Sequence, residues 1–101
     1  MIKHIVMWKL HETAAGRSKE ENAKLLKQKL EAMPAQIPEL KKAEVGVNHN
    51  PSDAAWDVVL YSEFDHADAL QTYQKHPLHQ VLIHDFLNKV RTAKAVVDYE
   101  I

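Results

Sequence analysis

The chain is 101 residues long, 46% hydrophobic and 27% charged, which gives room for one domain (residues 1–101) around one core. Thirteen Lys and Arg against 14 Asp and Glu leave a net charge of −1, excluding nucleic acid as the main partner, because phosphate binding needs a basic surplus on one face. The absence of cysteine excludes a disulfide framework and any thiolate zinc site.

From the N-terminus, Ile2 to Leu10 alternates as a strand. Ile2, His4, Val6, Trp8 and Leu10 share one face, and Lys3, Ile5, Met7 and Lys9 the other. The apolar stretch Ile5 to Trp8 is too brief for a signal-peptide core or a membrane span, so a cytoplasmic location without membrane association is expected. A loop from His11 to Gly16 precedes a helix opened by Ser18. Glu21 follows at capping-box spacing, and Ala23, Leu26, Leu30 and Met33 form an apolar stripe. The charges around that stripe read as a solvated face with i,i+4 pairs. Pro34 and Pro38 bracket the helix end.

Lys42 to Asn48 reads as a second strand, and His49-Asn50-Pro51-Ser52-Asp53 as turn chemistry. Ala55 to Phe64 reads as a third strand, with Trp56, Val58, Leu60, Ser62 and Phe64 on one face and Asp57, Val59, Tyr61 and Glu63 on the other. Asp65 is expected to cap a helix to about Lys75, with Asp68 in its first turn. Pro77 suits the first position of a further helix ending near Val90, and Ala93 to Tyr99 completes the set as a strand.

The order β-α-β-β-α-α-β predicts an α+β, ferredoxin-like fold: a four-stranded antiparallel sheet with helices on one face. The other face then carries Ile5, Met7, Val59, Tyr61, Ala95 and Val97, an apolar patch large enough to call for a partner. The expected partner is a second copy, two sheets closing face to face into a barrel.

The helix-side face reads as apolar except for His4, Ser62 and Asp98, and antiparallel pairing of the first and last strands sets His4 beside Asp98. The segment Tyr73-Gln74-Lys75-His76-Pro77-Leu78-His79 roofs them. His76 is expected at the N-cap ahead of Pro77, and His79 in the first turn, where the helix dipole disfavours imidazolium and leaves a neutral base. Asp98 would fix the tautomer of such a base, and Tyr73 would hydrogen-bond a substrate oxygen. The same residues also permit a structural reading, in which the histidines cap and brace the helix junction and Asp98 serves only as the partner of a core His4. His79 and His84 lie about 140° apart around a helix, so a metal site at His76, His79, His84 and Asp85 is not expected. His11, His49 and His66 read as solvated.

The opening Ile2-Lys3-His4-Ile5-Val6-Met7-Trp8-Lys9, the stretch Trp56-Asp57-Val58-Val59-Leu60, and above all Tyr73-x-x-His76-Pro77-x-His79 resemble the stress-responsive dimeric α/β-barrel (Dabb) family over nearly the whole chain. The resemblance implies a ferredoxin-like fold dimerised into a barrel. It also implies kinship to a plant branch that is a polyketide cyclase, catalysing an intramolecular aldol condensation, whose pocket residues match His4, His79, Tyr73 and Asp98 here. That branch carries a further histidine on its third strand, where this chain reads Ala55-Trp56-Asp57-Val58.

Together these readings give a pocket between sheet and helices, walled by Val6, Trp8, Val58, Leu60, Leu78 and Leu82. It would take a small, partly apolar carbonyl or phenolic compound. With His79 as base, the reaction class is proton abstraction beside a carbonyl, as in a cofactor-independent lyase, cyclase or isomerase. Only two glycines occur and no phosphate-cradling loop, so no cofactor is expected. The alternative is a non-catalytic, stress-protective homo-oligomer with a vestigial pocket.

Overall fold

The structure, a computed structural model, describes residues 1–101. Its elements run β1 (Ile2–Leu10), β2 (Thr13–Ala14), β3 (Arg17–Ser18), α1 (Lys19–Glu31), a 3₁₀ turn (Met33–Ala35), β4 (Lys42–Val47) and β5 (Val58–Phe64). They continue with α2 (Ala67–Lys75), α3 (Pro77–Leu82), a π-helical turn (Ile83–Leu87), α4 (Asn88–Val90) and β6 (Arg91–Glu100). The main sheet is antiparallel in the order β4-β5-β1-β6, with helices on one face, as the ferredoxin-like plan requires.

The core forms because each element presents its apolar period to the same layer. Along β1 burial alternates so that His4, Val6, Trp8 and Leu10 are buried while Ile5, Met7 and Lys9 are half-buried. Val58, Leu60, Ser62 and Phe64 do the same on β5. Leu26 and Leu30 from α1, Ile37 and Leu40 beyond it, and Leu70, Tyr73, Leu82, Phe86 and Val90 from the later helices complete one cluster of 20 buried residues. At the start of α1 the capping box is complete: Ser18 Oγ accepts from the Glu21 amide at 3.2 Å, and a Glu21 carboxylate oxygen accepts from the Ser18 amide at 3.0 Å.

Four local features depart from expectation. The loop before α1 is a miniature hairpin, β2 with β3, turned by Ala15 and Gly16, both with positive φ (53° and 77°), the mirror-image turn that suits strand twist. The cap of α2 is His66, not Asp65: its Nδ1 accepts from the Ala69 amide at 3.2 Å, while Asp65 lies 3.7 Å from Lys41. β5 begins three residues later than expected. Asp57 instead ties β1, its Oδ2 accepting from the Leu10 amide at 2.7 Å and its own amide donating to the Trp8 carbonyl at 2.9 Å. This breaks the alternation, and Trp56 turns to the outer face, where Lys9 Nζ sits 5.1 Å from its ring and Met7 and Val59 border the same groove. Finally, the helix from Pro77 is not continuous to Val90. A π turn, in which the Asn88 amide donates to the Ile83 carbonyl, inserts extra chain at Ile83–Leu87.

The outer sheet face carries the expected apolar side chains. Ile5, Met7, Val59, Tyr61 and Ala95 are half-buried, and Val97 is 58% exposed. Tyr61 marks its polar end, with Lys3 and Lys42 over its ring and its hydroxyl donating to Glu63. No helix is long and apolar enough to cross a membrane.

Candidate functional site

β1, the neighbouring β6, and the corner between α2 and α3 build the site. In the β1–β6 register His4 stands directly across from Asp98. The His4 Nδ1 hydrogen-bonds the Asp98 carboxylate. The imidazole is buried, whereas the Asp98 side chain is 41% exposed at the open edge of the sheet. A carboxylate only accepts, so Nδ1–H is the donor and Nε2 is directed away from Asp98. On β5, Ser62 donates to the His4 carbonyl at 2.8 Å, pinning the strand from the other side.

The roof is set by His76, which ends α2 and starts α3 at once. Its amide donates to the Tyr73 carbonyl at 3.1 Å, and its ring Nδ1 accepts from the Leu78 amide at 3.1 Å, with Pro77 in the first helical position. This corner brings the Tyr73 and His79 rings to 4.5 Å between centroids. Phe64 lies 5.2 Å from Tyr73 and 6.3 Å from His4, so an unbroken run of rings links the two imidazoles.

The tautomer of His79 is fixed by the main chain rather than by Asp98, whose partner is His4 alone. His79 Nδ1 lies 3.1 Å from the Gln74 carbonyl oxygen, an acceptor only, so Nδ1 carries the proton and Nε2 keeps its lone pair. Burial lowers the His79 pKa below its ordinary 6.5. The Gln74 hydrogen bond opposes that shift, and the nearby His4, Lys94 and His76 charges add to it. The ring is therefore a neutral base at pH 7. Burial pushes the Tyr73 phenol up, so it stays protonated and able to donate. Tyr73 is 1% exposed and its hydroxyl makes no hydrogen bond within the chain, yet no fully buried side-chain polar atom lacks a partner. The hydroxyl must therefore open onto accessible space.

That space is a cavity of about 110 Å³ between sheet and helices. His4, Val6, Trp8 and Leu60 line it from the sheet, and Tyr73, His79 and Leu82 from the helices. Two residues expected among the walls are not there. Val58, across from Trp8, is packed into the core, and Leu78 is 39% exposed on a separate groove with Met33 and Val81. Leu78 turns outward because it lies next to His79 on α3, a helical step of about 100° away. Eight wall residues were not anticipated: Leu30 from α1, Gln74 from α2, Ile83, Leu87 and Asn88 at and just after the π turn, and Arg91, Lys94 and Val96 from β6. Lys94 shares the inward face of β6 with Val96 and Asp98, a polar position that the alternation of the last strand already implied. No group of three or more His, Asp or Glu side chains converges as metal ligands.

The family model of the stress-responsive A/B barrel domain matches residues 2–101. The chain belongs to this Dabb family. A Dabb-length relative, an uncharacterised protein of Streptomyces coelicolor, is 35% identical over 80 residues, covering 79% of this chain and 80% of its own length. A dimeric protein of unknown function and ferredoxin-like fold from Bacteroides fragilis superposes with a TM-score of 0.82 at 39% identity, covering 99% of this Dabb chain and 95% of its own. A hydroxynitrile lyase from Passiflora edulis shares the fold, with a TM-score of 0.80 at 16% identity and coverage of 99% and 92%.

Proposed function

We propose that the chain binds a small carbonyl compound in this cavity and abstracts a proton from the carbon beside the carbonyl, as a homodimer paired through the outer sheet face. The observation that carries the reading is the meeting of two unengaged groups, the His79 Nε2 and the Tyr73 hydroxyl, on one cavity. In the step, Nε2 takes the α-proton and the carbon–hydrogen electron pair moves into the enolate. The Tyr73 hydroxyl donates to the enolate oxygen, and the His79 imidazolium returns the proton to carbon. His4, held by Asp98, is a second imidazole on the same cavity, placed to hydrogen-bond the ligand from the sheet side. Support for pairing comes from the exposed apolar face and from the dimeric B. fragilis neighbour.

A volume of about 110 Å³ sets the substrate size. It holds the equivalent of roughly four waters, or one ligand of a few heavy atoms, which favours a compound much shorter than a linear polyketide. The proposal keeps the proton-abstraction chemistry implied by the cyclase resemblance and replaces its substrate with a short carbonyl compound. The same volume falls below the roughly 300–1,000 Å³ of drug-sized sites and so favours, as a second reading, a non-catalytic homo-oligomer.

Deuterium exchange into the methyl groups of acetone in D₂O, followed by proton NMR, separates the two. The wild type is expected to accelerate exchange, and His79→Ala to lose about 10²–10⁴ of that acceleration. An unaccelerated rate with both acetone and butan-2-one leaves the non-catalytic assembly standing.

A further inference from the structure

The sheet carries one irregularity in its long pairings, and it lies beside the cavity. Along β1 and β6, Trp8 pairs with Lys94 and Lys9 with Ala93, but Leu10 then pairs with Arg91, leaving Thr92 as an extra residue. Such a bulge resets the two-residue alternation. In a regular ladder Thr92 would stand across from Leu10 on the inward face and Arg91 would point outward. With the bulge, Arg91 takes the inward position next after Lys94. Thr92 braces the irregularity, its hydroxyl donating to the Lys9 carbonyl at 3.2 Å. Two permanent cations therefore occupy consecutive inward positions on β6, and both line the cavity.

Neither cation has a counter-ion. The five ion pairs in the chain involve His4, Lys19, Lys27 and Lys41 only. None of the 15 residues lining the cavity is Asp or Glu, in a chain whose acids outnumber its bases. Asp98, on the same inward face of β6 as Lys94, is engaged by His4. Asn88 and Gln74 add neutral polar atoms to the lining.

We infer that Arg91 and Lys94 form an anion subsite, and that the ligand of this cavity is a short-chain oxo acid. Its carboxylate would lie against the β6 cations and its carbonyl would face Tyr73 and His79. The inference rests on the ligand-binding reading above and narrows it to a charged class. Arg91 suits the role because its planar fork matches a carboxylate, and Lys94 adds a mobile point charge. Fixing the carboxylate there would also orient the proton-bearing carbon beside the carbonyl toward the base.

The test is an amide-NMR titration of the intact protein with pyruvate and with its uncharged isostere pyruvamide. Pyruvate is expected to bind at least ~10-fold more tightly, with shifts at Arg91, Lys94 and Tyr73. The double substitution Arg91→Gln, Lys94→Gln should bring pyruvate down to the pyruvamide affinity and leave pyruvamide unchanged. An unaltered amide spectrum away from β6 would certify its fold. Equal wild-type affinity for the two compounds overturns the anion subsite while sparing the cavity. Binding of neither overturns both readings.

Discussion

Replacing Tyr73 by phenylalanine separates a functional hydroxyl from a structural one. The ring is 1% exposed and packs against Phe64 at 5.2 Å and His79 at 4.5 Å, contacts that phenylalanine retains. The hydroxyl has no partner in the chain, so its removal orphans no donor or acceptor, and the usual penalty of about 1–3 kcal/mol does not arise. For a domain of this size each kcal/mol moves Tm by roughly 4–8 °C. Tyr73→Phe is therefore expected to melt within about 4 °C of wild type. Tyr73→Ala, which empties an aromatic site worth about 3–5 kcal/mol, should fall by roughly 12 °C or more. Thermal unfolding by circular dichroism at one fixed protein concentration makes the comparison, since self-association makes Tm concentration-dependent. In parallel, acetone exchange should drop in Tyr73→Phe. A fall in Tm of about 8 °C or more for Tyr73→Phe would refute the argument, because it would mean that the hydroxyl holds the fold together.

His79 predicts a pH dependence. Its pKa is lowered in the folded chain, so its contribution to stability is complete above the ordinary 6.5 and is lost as pH falls from there through the lowered folded value, where the unfolded chain binds a proton that the folded chain refuses. Melting curves from about pH 7.5 to about pH 5 should show a shallower acid loss in His79→Gln than in wild type, and matching slopes would contradict the burial of the ring. Asp98→Ala removes the acceptor of the buried His4, but the carboxylate is 41% exposed, so a cost of only about 1 kcal/mol is expected from the urea midpoint. A loss above roughly 3 kcal/mol would mean that the pair is desolvated. Val97→Asp puts a charge on the outer sheet face at a site 58% exposed, and sedimentation should show a shift toward the folded single chain. A dimer as tight as wild type would move the interface elsewhere.

Much of the fold is written in local rules that act within a few residues. The Ser18–Glu21 box, the alternation of β1 and the junction at Pro77 are each decided by neighbours in sequence, and each can be read from it. The juxtaposition of His4 and Asp98 follows from antiparallel pairing alone. The illegible features are those in which a distant group overrides the local period. Asp57 reaches across to the Leu10 amide and frees Trp56 to the other face, against an alternation that continues through it. His66 outcompetes Asp65 as a cap because the chain is extended at His66 (φ −160°), one residue later than the acid. The π turn and the β6 bulge each add one residue to a regular period, and neither carries a compositional mark. They deliver Asn88, Leu87 and Arg91 to the cavity, so the polar end of the site was the least legible.

The clasp on His79 is a peptide oxygen at position 74, shared at 2.6 Å with the Gln80 side chain. Every amino acid supplies that oxygen, so drift in the side chain at 74 leaves the orientation of the base intact. What the base depends on is the path of the backbone from 74 to 79, which His76 caps and Pro77 starts into α3. A scan of single substitutions would thus find the control of this imidazole at the corner, 76 and 77, and not in the side chain at the position whose oxygen holds it.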